Sequence, residues 1–151
     1  MNKLTYITGL ALLLLFLSCK TTENMGKDDV VIEFEKTYCS GKCPVYKLKI
    51  TSNGVVLLEG IENIENIGNF KSRLSKEQLE ALIQDFESIN FFSLSDSYRS
   101  FMLDLPTTFI SYTVNGQTKK IKAYDNVPKQ LLNLIDKIDK LVYELDWKEL
   151  K

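Results

Sequence analysis

Apolar and polar residues alternate over residues 30–36 (VVIEFEK), with Val30, Ile32 and Phe34 on one side and Glu33 and Glu35 on the other. A period of two is the pattern of a half-buried strand. Residues 45–51 (VYKLKIT) repeat it, placing Tyr46, Leu48 and Ile50 inward and Lys47 and Lys49 outward. Asn53-Gly54 predicts a tight hairpin turn, where positive φ is needed. Residues 55–59 return as a strand that Gly60 ends or bulges. Ile61, Ile64 and Ile67 recur every three residues, but the run is too short for a solenoid. It reads as an irregular excursion or a continued strand ending near Phe70.

The period then changes. Leu79, Leu82, Ile83, Phe86 and Ile89 fall on one face at helical spacing, which predicts a helix over residues 74–89. Ser75 as N-cap and Gln78 at N3 form a capping box, with Leu74 and Leu79 at the staple positions. Phe91, Phe92 and Leu94 follow at the core edge. Residues 96–106 have no clean period and read as a loop. Residues 107–114 and 118–124 read as strands around a second Asn-Gly turn, Asn115-Gly116. Asn126 is the expected cap of the last helix, with Pro128 in its first turn. Its inward face runs through Leu131, Leu134, Ile135, Ile138, Leu141, Val142 and Leu145, with Trp147 at the rim. The order β-β-β-α-β-β-α predicts an α+β, two-layer sandwich. Its antiparallel sheet has about five strands, and its two helices lie on one face.

Composition adds two limits. The chain has 151 residues, 19 basic and 20 acidic side chains, three cysteines and no histidine. Near-neutral charge gives no reason to expect nucleic-acid binding. The missing histidine removes the usual general base and the machinery of Ser-His-Asp and Cys-His enzymes. No catalytic residue and no cofactor is assigned.

Cys39 and Cys43 lie in the turn between the first two strands. In an extended chain their Cα atoms would be about 13 Å apart, whereas a disulfide needs them within about 7 Å. Bonding therefore requires the chain to fold back, and Gly41 allows the positive φ such a turn wants. The loop would contribute about 2 kcal/mol on the chain-entropy estimate. The pair reads as a structural disulfide. A redox dithiol, with Lys42 lowering a thiol pKa, and a metal site are the rivals. Zinc wants four Cys or His ligands, which this chain does not supply near the pair.

The N-terminus begins Met1-Asn2-Lys3 and continues into an apolar run ending Phe16-Leu17-Ser18-Cys19. That is a secretory leader, too short for a comfortable membrane span. Ser18-Cys19 resembles a bacterial lipoprotein signal, with Cys19 acylated by palmitate-type chains and made the new N-terminus. An uncleaved anchor with a chance cysteine is the alternative. On the lipoprotein reading, residues 1–18 are the signal peptide, 19–29 the lipidated cysteine and a polar tether, and 30–151 a single domain. Lys20 is not the aspartate that retains many lipoproteins at the inner membrane. The expected place is therefore the outer membrane, on its periplasmic or surface face. Export also favours the disulfide.

Cys39-x-Gly41-x-Cys43-Pro44-x-Tyr46 resembles the opening motif of a family of uncharacterised bacterial lipoprotein domains. The likeness continues through Gly60, Leu74-Ser75, Phe91-Phe92, Asp96-x-Tyr98, Asp104-x-Pro106-Thr107, Asn115-Gly116 and Trp147. The resemblance implies a single exported domain with Cys39 and Cys43 as a paired feature. It carries no activity.

Two kinds of function follow. The first is a non-catalytic binding module held to the membrane through lipid on Cys19, with an envelope protein or polymer as partner. Its candidate binding edge is Asp96, Tyr98, Arg99, Phe101, Met102 and Asp104, where aromatic, cationic and flexible apolar side chains combine as they do at interfaces. The same side chains could simply cover the end of the core. Lys47, Lys49, Lys120 and Lys122 offer a basic face toward an anionic polymer, or an ordinary solvated face. The second kind is a thiol–disulfide redox protein using Cys39 and Cys43. Carboxylate catalysis by Asp96 and Asp104 is a distant third, since such aspartates more often cap turns.

Overall fold

A computed structural model describes residues 29–99 and 105–151. Strands β1 (Val30–Lys36), β2 (Val45–Thr51) and β3 (Val55–Glu62) form where the alternation predicts them, and β4 (Gly68–Arg73) extends the meander. Helix α1 (Lys76–Ser88) follows, then a 3₁₀ turn at Phe91–Ser93. Next come β5 (Ser97–Tyr98), β6 (Thr108–Val114), β7 (Gln117–Ala123), helix α2 (Lys129–Glu144) and β8 (Lys148–Glu149). The strands form one sheet in the order β5-β7-β6-β1-β2-β3-β4-β8. Among the described residues every pairing is antiparallel except β5 with β7.

This corrects the expected five-stranded antiparallel sandwich. Among the described residues the sheet has eight strands and is mixed. The three additional strands have no readable period. β4 carries a single large apolar residue, Phe70, and is a strand because β3 pairs with it. β5 and β8 are two residues each and exist only as pairings on sheet edges.

One face of the sheet is covered. Ile32, Phe34, Tyr46, Leu48, Ile50, Val56, Leu58, Ile110, Tyr112 and Ile121 share a single buried cluster with Leu79, Leu82 and Phe86 of α1 and Leu131, Leu134, Ile135, Ile138 and Val142 of α2. The helices carry their apolar residues at i, i+3, i+4 spacing, so each turns one stripe toward the strands. The capping box is formed: the Gln78 amide donates to Ser75 Oγ at 3.2 Å, and the Ser75 amide donates to Gln78 Oε1 at 2.8 Å. Asn126 does not cap α2. It sits at φ 54°, whereas an N-cap needs an extended backbone, and Pro128 takes the position without a side-chain bond.

The two Asn-Gly turns differ. Asn115 and Gly116 both have positive φ and close a two-residue hairpin. In the first turn only Gly54 has positive φ, in a three-residue loop whose Gly54 amide donates to the Thr51 carbonyl at 2.9 Å. Both hairpins lie at the end of the sheet where the chain enters β1, because Val30 pairs with Thr51 and Ile32 with Tyr112. We call this the entry end. The opposite end, where Lys36 pairs with Tyr46 and Thr108, is the disulfide end.

Candidate functional site

The disulfide end gathers segments far apart in the sequence. β1 leads out through Thr37 into the Cys39–Cys43 turn, which leads into β2. The two cysteines are bonded, with Cα atoms 5.9 Å apart. The fold-back does not use positive φ at Gly41, contrary to expectation. Instead the Gly41 amide donates to Cys39 Sγ at 3.2 Å, and that hydrogen bond shapes the turn. Lys42 is exposed, and Tyr38 is 62% exposed beside the bond.

The segment before β6 is stitched to this turn. The Thr37 amide donates to the Thr107 carbonyl at 3.0 Å, and the Thr107 amide donates to Thr37 Oγ1 at 3.0 Å. Thr37 Oγ1 donates to that same carbonyl at 3.2 Å. Thr107 is therefore bonded directly to the residue that leads from β1 into the disulfide turn.

Pro44-x-Tyr46 has a different task. Tyr46 is fully buried and its hydroxyl donates to Asp139 Oδ1 on α2. Lys36 Nζ meets Asp139 Oδ2 at 2.7 Å. Burial holds the Tyr46 phenol well above the ordinary tyrosine range, reinforced by its hydrogen bond to Asp139, that carboxylate's charge and the nearby Tyr143. The group is a clamp between sheet and helix. A carboxylate that already accepts from a tyrosine and a lysine is poorly placed to act as a base.

Beside Tyr46, its register partner Gly60 lies under the β3–β4 connection. A Cβ there would sit 1.7 Å from the Asn66 carbonyl oxygen, so no side chain fits. The crossing connection carries Ile64 inward and leaves Ile67, just before β4, 54% exposed.

The expected binding edge divides. Asp96 meets Lys119 at 2.7 Å, facing the sheet edge. Tyr98 is half-buried against the core and its hydroxyl accepts from the Ser95 amide at 3.2 Å. Arg99 is exposed at the disulfide end, its Nε donating to Ser97 Oγ at 3.0 Å. Phe101, Met102 and Asp104 lie outside the described residues, as does Cys19.

The uncovered sheet face holds the strand lysines. Lys47 faces Glu59 at 3.5 Å and Lys49 faces Glu33 at 3.7 Å. Lys120 and Lys122 lie 4.8 and 5.9 Å from the centre of the Phe109 ring. Two of the four are thus compensated by carboxylates. A shallow groove of about 240 Å³ runs over Phe109 and Ser111 between these charges.

A family profile described as a domain of unknown function (DUF6438) matches residues 30–142. The chain belongs to this family. The DUF6438 match begins at the first residue of β1 and ends within α2, so both Tyr46 and Asp139 fall inside it. Trp147, which the sequence groups with the motif residues, lies beyond its end; its indole donates to the Val142 carbonyl at 2.9 Å. No curated protein matches the chain.

Sequence reasoning missed the Tyr46–Asp139–Lys36 group and the Thr37–Thr107 stitch. Asp139 did leave a signal. It stands between Ile138 and Val142 on the buried side of α2, where a lone carboxylate needs a partner. Thr37 and Thr107 left none, since they are 70 residues apart.

Proposed function

We propose that this chain is an exported envelope lipoprotein, lipid-anchored through Cys19, whose domain is a non-catalytic binding module. The carrying observation is the composition of the disulfide end. Exposed Tyr38, Lys42, Ile67 and Arg99 come from three connections and stand at the end of the sheet away from Asp29, where the chain enters. Aromatic and arginine side chains on a braced surface are the usual material of interfaces. The bond between Cys39 and Cys43 supports export, because such bonds persist in oxidising compartments. The outer membrane is the proposed location and an envelope protein or polymer the proposed partner.

Intact mass of the full chain from cell envelopes tests the anchor: an acylated species starting at Cys19 is expected. A photo-reactive residue in place of Tyr38 tests the binding end. Crosslinks from that position, and none from Glu59 on the open sheet face, support the reading. Crosslinks from neither position, or equally from both, count against it.

One observation favours a second reading, a thiol–disulfide redox protein. The Gly41 amide that donates to Cys39 Sγ would also stabilise a thiolate there, with Lys42 next in sequence to Cys43. A potential near about −200 mV with one readily alkylated thiol would move this reading first, whereas resistance to reduction below about −300 mV marks a structural bond.

A further inference from the structure

We infer that the entry end of the sheet rests on a zwitterionic phospholipid surface, with Phe92 as its contact. The inference depends on the proposed acylation of Cys19 and adds an orientation to it. Asp29 is exposed at the start of β1, and its carbonyl accepts from the Ser52 amide at 2.9 Å, which holds it beside the first hairpin. Whatever precedes Asp29 therefore leaves from this end. The ten residue steps from Cys19 to Asp29 reach at most about 36 Å. An acylated Cys19 would hold the entry end within that distance of the bilayer, and the surface beside the exit point then decides which way the domain leans.

The entry end presents an aromatic surface. Phe91 is buried, but Phe92 is 41% exposed. The turn that splits the pair is tightly held. Asn90 has φ 49°, the Ser93 amide donates to the Asn90 carbonyl at 2.8 Å, and the Leu94 amide donates to the Phe91 carbonyl at 3.2 Å. With Phe91 already filling the core against Phe86, Phe92 cannot turn inward. Its ring lies 6.0 Å from that of Tyr112, which pairs with Ile32, so this surface is one strand away from the entry point. Phe92, Phe91, Tyr112 and Val114 line a groove of about 360 Å³.

Exposed phenylalanine rings are among the side chains that surface-bound proteins bury at the boundary between head groups and acyl chains. Glu87 and Asn90 rim the groove and no lysine or arginine lines it. That balance disfavours an anionic surface and fits a zwitterionic one. Acyl chains would supply the affinity, and Phe92 would set the tilt, leaving Tyr38 and Arg99 facing away from the bilayer.

The test uses the full acylated chain in vesicles of zwitterionic phospholipid with brominated acyl chains, in a Trp147→Phe, Phe92→Trp variant. The introduced indole should lose most of its emission to the bromines, while Trp147 in the unaltered chain should lose almost none. A second measurement needs no substitution: in nanodiscs of the same lipid with a spin-labelled acyl chain, the Phe92 ring signals should be attenuated and those of Tyr38 retained. If Cys19 carries no lipid, the anchoring reading and this inference both fall. If Cys19 is acylated but neither quenching nor attenuation reaches Phe92, the orientation alone is overturned. Emission that responds to protein concentration and not to bromine would likewise overturn it, in favour of a second copy on this face.

Discussion

At the entry end the sheet is closed by rings. Phe86, on the buried stripe of α1, stacks on Tyr112 at 4.6 Å and meets Phe91 edge-on at 5.0 Å. At the disulfide end the chain is closed by a covalent bond, a threonine stitch and the Tyr46–Asp139–Lys36 clamp. The difference follows from what each end must hold. The entry end connects neighbouring strands through tight Asn-Gly turns, whose hydrogen bonds run between near neighbours such as Gly54 and Thr51, and ring burial does the rest. The disulfide end joins distant segments through longer connections, whose polar backbone groups need partners. Directional links keep such a surface in one shape while leaving its side chains exposed, which suits a binding end.

Five measurements would break or sharpen this contrast. Phe86→Ala should have the largest effect, about 3–5 kcal/mol in urea unfolding, because it empties the ring cluster. A smaller loss would mean that the entry end tolerates collapse.

Asp139→Ala should cost about 1–3 kcal/mol by leaving the Tyr46 hydroxyl and Lys36 without a partner. Combined with Tyr46→Phe, it should show a coupling of at least about 0.5 kcal/mol, and strict additivity would dissolve the clamp. The clamp also predicts a pH dependence. The folded state holds the Tyr46 proton more tightly than the unfolded chain does. Its contribution is therefore complete below the ordinary tyrosine pKa of about 10 and is lost as pH rises above it. Tyr112 and Tyr143 are shifted the same way, chiefly by burial. Unfolding followed from pH 8 to 11 should show the decline, and Tyr46→Phe should flatten most of it.

Reducing Cys39–Cys43 should cost about 2 kcal/mol. Faster amide exchange should be confined to the disulfide end, and exchange that spreads to the hairpins would show the two ends are one cooperative unit. Glu33→Gln on the open face should change stability by about 0.5 kcal/mol or less, as exposed pairs do.

The alternation over β1, β2, β6 and β7 and the helical stripes of α1 and α2 could be read directly, because each of these elements buries one face and its sequence carries that face's period. The Ser75–Gln78 box and the Asn115-Gly116 turn were equally readable, since their bonds and dihedrals involve neighbours. The cysteine pairing was readable from spacing and the folded-back turn. Family membership fits this: residues 30–142 carry the period and the cysteine motif alike.

What the sequence determined by itself was therefore local: periods, caps, turns and one short covalent loop. Only the tertiary structure decided that the sheet has eight strands, because β4, β5 and β8 are strands by virtue of the edges they join. It alone decided that Asp96 pairs with Lys119, 23 residues away, and that Asp139 sits beneath Tyr46 from 93 residues away. It also separated the entry point at Asp29 from the exposed disulfide end. Local patterns follow from backbone geometry over a few residues. Partners across the sheet follow from which edges and helix faces remain to be satisfied once the core has closed.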